Sequence, residues 1–420
     1  MTFLSRRQFS AGLVAGLVAM PGVLRAQAKP RLVVIGGGPG GATVAKYVAR
    51  DSQGAIDVTM IEPLEKFTTC FHSNLVLGGL RSLESTTHAY KLDAYGVKQL
   101  RQVAAAIDRD KKQVRLADGS LVAYDRLVVS PGIDIKFDSV PGYSEAASEI
   151  MPHAWKPGPQ MQLLKKQLDA LQDGATIVML APPNPYRCPP GPYERASCMA
   201  HVLKAKGHTR SKIVIIDPKD RFSKMAVFQE GWQKHYPGMI EWMDPKMHGG
   251  VKSIDAKAMT VTTDFETIKA DLVNVIPAQM AGKVARDAGL TNQTGYCPID
   301  AANMRSAIDP NIYVLGDASI AGAMPKSAFA ANSQAKVVAM AVRGELAGSR
   351  TFPARYANTC WSVIQTDDTI KVGGRYELKE GAIAEVEGFV SKPGEDAGVR
   401  MQTTEENMGW YASIVADIFA

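Results

Sequence analysis

Residues 31–50, "RLVVIGGGPGGATVAKYVAR", contain an apolar strand, a glycine-rich turn and the start of a helix. Gly36, Gly38 and Gly41 fit the spacing G-x-G-x-x-G, and a second apolar strand ends in Glu62, 21 residues after Gly41. The first glycine permits a tight turn, the second lets the backbone approach a pyrophosphate, and the third lets helix and strand pack closely. Glu62 can accept hydrogen bonds from ribose hydroxyls. This order of strand, turn, helix, strand and acid predicts a dinucleotide site at the helix N-terminus.

Two further segments complete the pattern of this first domain. Residues 121–132, "LVAYDRLVVSPG", predict a strand that ends in a small-residue turn. Residues 311–319, "NIYVLGDAS", predict a strand that ends at Gly316 and Asp317 and precedes a helix. Together with the glycine motif, these segments resemble the FAD-binding half of the glutathione-reductase-like flavoproteins. The resemblance implies that FAD binds here, that Asp317 hydrogen-bonds its ribityl chain, and that the helix N-terminus faces the flavin ring.

The middle of the chain has its own alternation of helices and strands. In the superfamily this second βαβ domain follows its first strand with another glycine motif when it binds NAD. Here residues 181–194 read "APPNPYRCPPGPYE" after the strand "ATIVML". Prolines lack a backbone N–H and fix φ, so this loop cannot cradle a pyrophosphate as a glycine turn does. We therefore expect no NAD(P) site in this domain.

The predicted fold class is α/β, with two Rossmann-like three-layer domains and a small α+β C-terminal interface domain. Strand signals in "TIKVGGRYEL" and "AIAEVEGFV" mark that last domain. The expected divisions are a signal peptide at 1–28, an FAD-binding domain at 29–150 and 271–345, a second Rossmann-like domain without an NAD site at 151–270, and the interface domain at 346–420.

The first 28 residues have the features of an export signal. "SRRQF" supplies twin arginines, "SAGLVAGLVAMPGVL" a short apolar core, and "AQA" a small-residue cleavage site. The alternative is a membrane anchor, but the apolar core is shorter than the roughly 20 residues that a spanning helix needs. We expect a periplasmic protein that is exported by the twin-arginine route and has no stable membrane insertion.

Composition limits the class of partner. The chain has 420 residues, of which 46% are hydrophobic and 21% charged, as in ordinary globular proteins of two or three domains. The net charge is +6, and three of the positive charges lie in the first 28 residues. The remaining excess is too small to predict a nucleic-acid partner.

The chain has five cysteines, which are Cys70, Cys188, Cys198, Cys297 and Cys360. No pair has C-x-x-C spacing and the histidines do not cluster with them, so we predict no metal site. An oxidising compartment would permit disulfides, and an odd count leaves at least one cysteine for another purpose. Cys198 and Cys297 are interpreted as buried inert thiols, although a bridge between them stays open. Cys70 is either a buried structural thiol or a covalent tether to the flavin.

Three segments closely resemble the flavoprotein subunit of flavocytochrome c sulfide dehydrogenase. They are "TTCFHSNLVLGG" (68–79), "PPNPYRCPPGPYERAS" (182–197) and "YANTCWS" (356–362). The resemblance implies that Cys70 forms an 8α-S-cysteinyl thioether to FAD, and that Cys188 and Cys360 form a redox-active disulfide beside the flavin. It also implies that Glu194 acts as an acid/base and that Trp410 lies near the flavin on the side facing a haem subunit. His72, close to Cys70, is interpreted as structural.

The sequence therefore predicts an FAD-dependent enzyme that oxidises sulfide. Hydrosulfide can attack a disulfide by thiol–disulfide exchange. The chain has no C-x-x-C-H haem motif, so a c-type cytochrome acceptor would be another chain. Two alternatives stay open: a sulfide:quinone oxidoreductase, and a non-catalytic flavoprotein that stimulates a sulfur-oxidising complex.

Overall fold

The computed structural model describes residues 28–420, so the predicted export signal lies outside the described residues apart from its last position. The first elements in chain order are β1 Arg31–Ile35, α1 Gly41–Ser52, β2 Asp57–Ile61, β3 Lys66–Thr68, α2 Ser73–Leu77, β4 Thr87–Ala89, β5 Lys98–Leu100, β6 Ala104–Asp108, β7 Gln113–Leu116, β8 Leu121–Ala123, β9 Arg126–Val129, β10 Ile133–Ile135 and α3 Glu145–Ser148.

The middle of the chain alternates helices with parallel strands and then forms a small three-stranded antiparallel sheet. Its elements are α4 Pro159–Ala170, β11 Thr176–Leu180, α5 Gly191–Ala205, β12 Lys212–Ile216, α6 Met225–His235, β13 Ile240–Met243, α7 Pro245–His248, β14 Val251–Asp255, β15 Thr260–Thr263, β16 Thr267–Lys269 and β17 Leu272–Val275.

The last part of the chain returns to the first sheet and then forms a separate antiparallel layer. Its elements are β18 Gln279–Ala281, α8 Lys283–Asp287, β19 Cys297–Pro298, β20 Ile312–Val314, β21 Ser319–Ile320, α9 Ala328–Ala347, β22 Arg355–Gln365, β23 Asp368–Lys379, β24 Ala382–Val390 and α10 Ala397–Phe419.

The first sheet is parallel, with strand order β20-β9-β1-β2-β5. Its central strands are almost continuous runs of buried Val, Ile and Leu, as expected for a parallel sheet that is covered on both faces. Helices α1 and α9 pack on one face. The antiparallel β6-β7-β8 sheet contributes Val114 and Leu116 to the core on the other face. This is the predicted three-layer arrangement.

The second sheet is also parallel, with strand order β13-β12-β11-β17. Residues of α4, α5 and α6 fill the core on one face, and β15 contributes Val261 to the core on the other. The predicted α/β class with two Rossmann-like units is confirmed. Because β17 pairs with β11, the chain leaves this sheet after Val275 and not at the expected residue 271.

One predicted strand is divided in two. Residues 121–132 form β8, which belongs to the small antiparallel sheet, and β9, which belongs to the first parallel sheet. The division falls at Tyr124 and Asp125, where the Asp125 carboxylate accepts hydrogen bonds from the backbone and guanidinium of Arg31. That contact holds the short segment between β8 and β9 against the first residue of β1. Strand β9 then pairs with β1 in the parallel sheet.

The C-terminal layer consists of the antiparallel β22-β23-β24 sheet and α10. Strand β22 lies against α5 of the second unit and α9 of the first. Ile364 joins the core of the second unit, whereas Tyr356 joins that of the first. The middle of β22, which contains Cys360, therefore lies at the junction of the two Rossmann-like units.

Candidate functional site

The glycine turn has the conformation that a dinucleotide cradle requires. Gly36 has φ +100°, and an added Cβ would collide with the carbonyl oxygen of Ser130. A Cβ on Gly41 would collide with the Gly36 carbonyl, so only glycine permits this turn to pack against the start of α1. A Cβ on Gly38 would meet only the Phe67 ring at 3.4 Å, which leaves its backbone approachable.

Glu62 lies directly after β2, beside the glycine turn. Its Oε2 accepts a hydrogen bond from the Gly37 backbone N–H at 2.8 Å, and its Oε1 accepts one from the Leu64 N–H at 3.0 Å. The carboxylate is thus oriented by the backbone on both sides. Each oxygen keeps a lone pair for a ribose hydroxyl, which is the role predicted for this residue.

The hydrogen-bond partners of the Asp317 carboxylate indicate whether the residues present fit FAD. Its Oδ2 accepts a hydrogen bond from Arg187 Nε at 2.6 Å, but its buried Oδ1 has no partner among the described residues. A buried carboxylate oxygen without a donor is costly, and a hydroxyl of a ribityl chain would satisfy it. Ser327 caps α9 next to this position, and the positive end of that long helix favours negative charge. The residues present therefore fit FAD.

Cys188 and Cys360 approach the same region from different units. Cys188 lies in the proline-rich turn before α5, with φ +59°, and its backbone N–H donates to the Lys326 carbonyl at 2.8 Å. Cys360 lies in β22, which packs on α5. Burial raises the pKa of Cys188 well above its usual value, and the nearby Cys360 and Glu194 raise it further. All five cysteines are free thiols in this structure.

Glu194 is buried in the first turn of α5, facing the same sulfur atoms. Its Oε2 accepts a hydrogen bond from Asn74 Nδ2 at 2.8 Å, and its Oε1 accepts one from the Val363 backbone N–H at 2.9 Å. Burial raises its pKa, against the opposing effect of those two donors. The side chain thus connects α2, α5 and β22 beside the cysteine pair, and its carboxyl is poised to hold a proton.

Lys224 is a site residue that sequence reasoning missed. Its ammonium is buried and donates to the Cys360 carbonyl at 3.2 Å and to Ser362 Oγ at 2.8 Å. Burial lowers its pKa to about 8, whereas Cys360 and Glu194 act in the opposite direction. Lys224 is 136 residues from Cys360 in the chain, and no local motif marks it.

Cys70 lies between β3 and α2, near the guanidinium of Arg187. Burial raises the pKa of its thiol, while Arg187 lowers it. Arg187 therefore lies close to both the predicted tether and Asp317, a role that its place next to Cys188 in the proline loop could have suggested. The structure brings the predicted tether, the aspartate and the cysteine pair into one region.

Trp410 lies on α10 and packs into an aromatic cluster. Its ring stacks on Trp361 with 5.1 Å between ring centroids and on Phe329 at 6.3 Å, and it contacts Phe71 at 5.8 Å. Trp361 adjoins Cys360, so the aromatic cluster connects α10 to the strand that carries this cysteine. The buried Nε1 of Trp361 has no partner among the described residues.

His72 is held as a neutral structural residue. Its Nδ1 accepts from Arg81 Nη1 at 2.6 Å, and its Nε2 donates to Asn407 Oδ1 at 2.9 Å. Burial lowers its pKa to about 4. Its ring also stacks on Tyr411 with 4.3 Å between centroids, so both nitrogens and one face are already engaged.

In the second unit, Asp217 and the proline loop make contacts with neighbouring side chains. Asp217, which follows β12 as an acid for ribose would, instead accepts from Tyr193 at 2.5 Å, from Trp242 at 2.9 Å and pairs with Lys219. Lys219 also donates to the Pro182 carbonyl, and its ammonium lies over the Tyr186 ring. These contacts engage Asp217 and the proline loop with groups of the second unit itself.

The other two cysteines lie outside the proline loop and strand β22, which carry the pair. Cys198 is buried in α5 against Gly78, and Cys297 is buried in the core of the first unit. Within residues 28–420, no group of three or more His, Cys, Asp or Glu side chains is arranged to hold a metal ion.

Three family models match successive parts of the chain. Residues 30–157 match pyridine nucleotide-disulphide oxidoreductase, residues 161–277 match the central part of the sulfide dehydrogenase (flavocytochrome c) flavoprotein chain, and residues 352–419 match the flavin-binding part of flavocytochrome c sulphide dehydrogenase. A flavoprotein chain of sulfide dehydrogenase (flavocytochrome c) from Chlorobaculum thiosulfatiphilum is 52% identical over 46 residues, which are 94% of that sequence and 11% of this chain. This chain belongs to the flavocytochrome c sulfide dehydrogenase flavoprotein family. It is a flavin-dependent oxidoreductase of a sulfide-oxidising family.

More distant relatives share the fold. The mitochondrial sulfide:quinone oxidoreductase of Dictyostelium discoideum is 23% identical over 323 residues, covering 73% of this chain and 69% of that protein. The solved sulfide:quinone oxidoreductase of Aquifex aeolicus superposes with a TM-score of 0.70 at 16% identity and covers 92% of both chains. A covalent putidaredoxin reductase–putidaredoxin complex gives a TM-score of 0.65 at 18% identity over 90% of this chain and 94% of that one.

Proposed function

We propose that this chain oxidises hydrosulfide at a Cys188–Cys360 disulfide, with FAD tethered to Cys70, and that a c-type cytochrome subunit accepts the electrons. The observation that supports it best is the convergence of Cys188, Cys360 and Glu194 beside the residues that fit FAD. Two redox-active sulfurs and a buried acid are the groups that thiol–disulfide exchange with a small anion requires.

The chemistry at the sulfurs balances without a further reagent. Hydrosulfide attacks one sulfur of the disulfide and forms a new S–S bond, while the old S–S bond breaks. The products are a cysteine persulfide and a cysteine thiolate, which together carry the two electrons of the sulfide. Glu194, whose pKa is raised by burial, holds a proton that it can deliver or recover during the cycle. When bound, FAD supplies an acceptor for two electrons that can release them one at a time.

The second unit supports sulfide rather than a nicotinamide as the electron donor. The acid after β12, Asp217, is engaged by Tyr193 of α5 and by Lys219, and Lys219 in turn donates to Pro182 in the loop after β11. The prolines on either side of Cys188 restrict the loop and so reduce the entropy lost in positioning its sulfur.

The second part of the proposal concerns the molecule that accepts electrons from the flavin. The family models that match two parts of the chain describe a flavocytochrome, and the chain has no haem-attachment motif of its own. The sulfide:quinone oxidoreductases at 23% and 21% identity keep a quinone as the second candidate. No helix within residues 28–420 is both long and apolar enough to cross a bilayer.

Acceptor assays with matched cysteine variants test this proposal. The holoprotein with sulfide should reduce a c-type cytochrome and not a soluble ubiquinone analogue. Cys188→Ser should retain flavin but lose this activity, whereas Cys198→Ser, which changes a buried cysteine of α5 away from the pair, should keep it. Reduction of the quinone alone would favour the second candidate, and reduction of neither would favour a non-catalytic flavoprotein.

Location in the periplasm belongs to the same proposal. The twin-arginine motif at residues 5–9 and the small-residue site at 26–28 are its support. Replacing Arg6 and Arg7 by lysine should leave the protein in the cytoplasm, as read by cell fractionation and immunoblotting. Unchanged export of that variant would contradict the assignment.

A further inference from the structure

Lys224 is a buried cation that no carboxylate pairs with among the described residues. Its side chain lies at the start of α6 and reaches β22 and β23. The ammonium donates to Ser362 Oγ at 2.8 Å and to the carbonyl oxygens of Cys360 and Ile370 at 3.2 and 3.4 Å. All three acceptors are neutral. Lys224 is 7% exposed, so water compensates its charge poorly.

The groups around this ammonium can supply the missing negative charge. The nearby ionisable groups that act on it are Cys360, Glu194 and Cys188, with the largest effect from Cys360. A disulfide would leave Glu194 as the only one of these three groups that can ionise, and burial raises its pKa. Opening the disulfide creates a thiolate beside the ammonium, so Lys224 favours the product of that step over its starting state.

The two sulfurs are not equivalent in their surroundings. Cys360 lies on the strand that Lys224 contacts, and its Sγ is within 3.5 Å of the Asn358 amide nitrogen. Burial raises the pKa of Cys360, and the hydrogen bond with Asn358, the charge of Lys224 and the hydrogen bond with Ser327 oppose that rise. Burial raises the pKa of Cys188 well above its usual value, and Cys360, Glu194 and Cys70 raise it further, against the opposing charges of Lys224, Arg187 and Arg195.

We infer that Lys224 makes Cys360 the sulfur that leaves as a thiolate, so that hydrosulfide adds to Cys188. This inference rests on the proposed function and names the direction of its first step. In that step HS⁻ forms a bond to Cys188 Sγ, the Cys188–Cys360 bond breaks, and the electron pair of that bond remains on Cys360. A disulfide opens faster when the departing thiol is the more acidic one. Lys224 is a positioning and electrostatic residue that acts through Cys360.

Other charged groups around the pair modulate the same equilibrium. Glu194 opposes formation of a thiolate on Cys360, whereas the buried Arg187 and Arg195 both interact with Cys188. Tyr376 of β23 is also influenced by Cys360, but burial raises its pKa to about 12, so it stays neutral. Lys224 is the one cation that lowers the pKa of Cys360 among the described residues.

The test measures the acidity of Cys360 directly and needs no turnover. In reduced holoprotein carrying Cys188→Ser, methyl methanethiosulfonate labels Cys360, and peptide mass spectrometry gives its rate from neutral to alkaline pH. Adding Lys224→Met should slow labelling at neutral pH about tenfold, equivalent to a rise of about one unit in the midpoint. Lys224→Arg should stay within about threefold of the parent, because it keeps the charge.

Lys371→Met is the matched control. It removes a cation from the adjacent strand β23 that already pairs with Glu406 at 2.5 Å, and it should leave the labelling rate unchanged. If Lys224→Met does not fold, Lys224→Gln, whose amide can still donate to the oxygens, gives the same readout. Equal rates and midpoints with and without the Lys224 charge would overturn the inference. A different outcome would overturn the proposed function alone. In that outcome Lys224→Met shifts the labelling midpoint of Cys360 as expected, but the holoprotein does not reduce the cytochrome with sulfide.

Discussion

Lys224 and Glu194 place an ammonium and a carboxyl group beside the same pair of sulfur atoms. The lysine stabilises a thiolate, and the glutamate can hold a proton because burial raises its pKa. The two side chains come from α6 and α5, and both reach β22. Their separation allows one group to favour the leaving thiolate while the other serves proton transfer.

Glu194→Gln tests the proton-transfer role. The amide oxygen can keep one of the hydrogen bonds from Val363 and Asn74, while its NH2 replaces the other acceptor, and the group cannot take up or return a proton. We expect flavin to remain bound and sulfide-dependent cytochrome reduction to fall about a hundredfold, since acid–base catalysis contributes at that scale. Exposed Glu405→Gln on α10 is the control. Turnover equal to that of the control would rule out the role assigned to Glu194.

Cys70→Ala tests the covalent tether. In the unchanged chain, flavin fluorescence should stay with the polypeptide band on a denaturing gel. It should disappear in Cys70→Ala, because no other cysteine of the described chain lies between β3 and α2, and it should persist in Cys198→Ala. A fluorescent Cys70→Ala band would show that the thioether lies elsewhere.

At the scale of elements, α10 fixes the segment that carries Cys70. Tyr411 bonds Thr69 at 3.0 Å and His88 at 2.9 Å, and Asn407 accepts from His72 at 2.9 Å. Helix α10 also places Trp410 against Trp361. The C-terminal helix therefore connects the predicted tether to the strand that contains Cys360.

Asn407→Ala should weaken this connection. It leaves the buried His72 Nε2–H without its acceptor, which costs about 1–3 kcal/mol in the free energy of unfolding. Denaturant unfolding followed by circular dichroism measures the change. The control is Glu405→Ala, an exposed position of the same helix, for which we expect a change within about 0.5 kcal/mol. Equal midpoints for the two variants would contradict the assigned role of Asn407.

The elements differ in how far the sequence predicts them. Strands β1, β2, β11 and β12 follow from short apolar runs, and α9 follows from its regular spacing after Asp317. The end of the second unit at Val275 is less predictable, since it depends on a pairing with β11 almost a hundred residues earlier. The division between β8 and β9 depends on a contact with Arg31 that no local pattern shows.

The site residues also differ in whether a local sequence pattern reveals them. The cysteines and Glu194 were found through three segments typical of a family, whereas Lys224 and Asn74 contact them only after folding. A lysine in "DRFSKM" looks like an ordinary surface residue until α6 is packed on β22. The sequence therefore predicts candidate reactive groups, but it does not show the residues that surround them in the folded chain.

For the whole molecule, buried neutral histidines predict sensitivity to acid. Burial lowers the pKa of His72 and of His153 to about 4. Unfolded histidine titrates near 6.5, so between these values the unfolded chain binds more protons, and the free energy of unfolding falls as the pH drops. Each histidine contributes at most about 3 kcal/mol to that loss.

Thermal unfolding across this pH range checks the prediction. The midpoint should be flat near neutral pH and should fall as the pH approaches about 4. His72→Gln and His153→Gln should each make the fall shallower, because glutamine does not titrate. A wild-type midpoint that stays level throughout this range would contradict the buried neutral state of both rings.

The central claim is that electrons enter this molecule from sulfide through the cysteine pair and not from a nicotinamide. The most direct test is the absorbance of the bound flavin under anaerobic conditions, after separate additions of sulfide and NADH. We predict that sulfide bleaches the flavin, that NADH does not, and that Cys188→Ser holoprotein stays coloured with both. Bleaching by NADH with no response to sulfide would contradict the account.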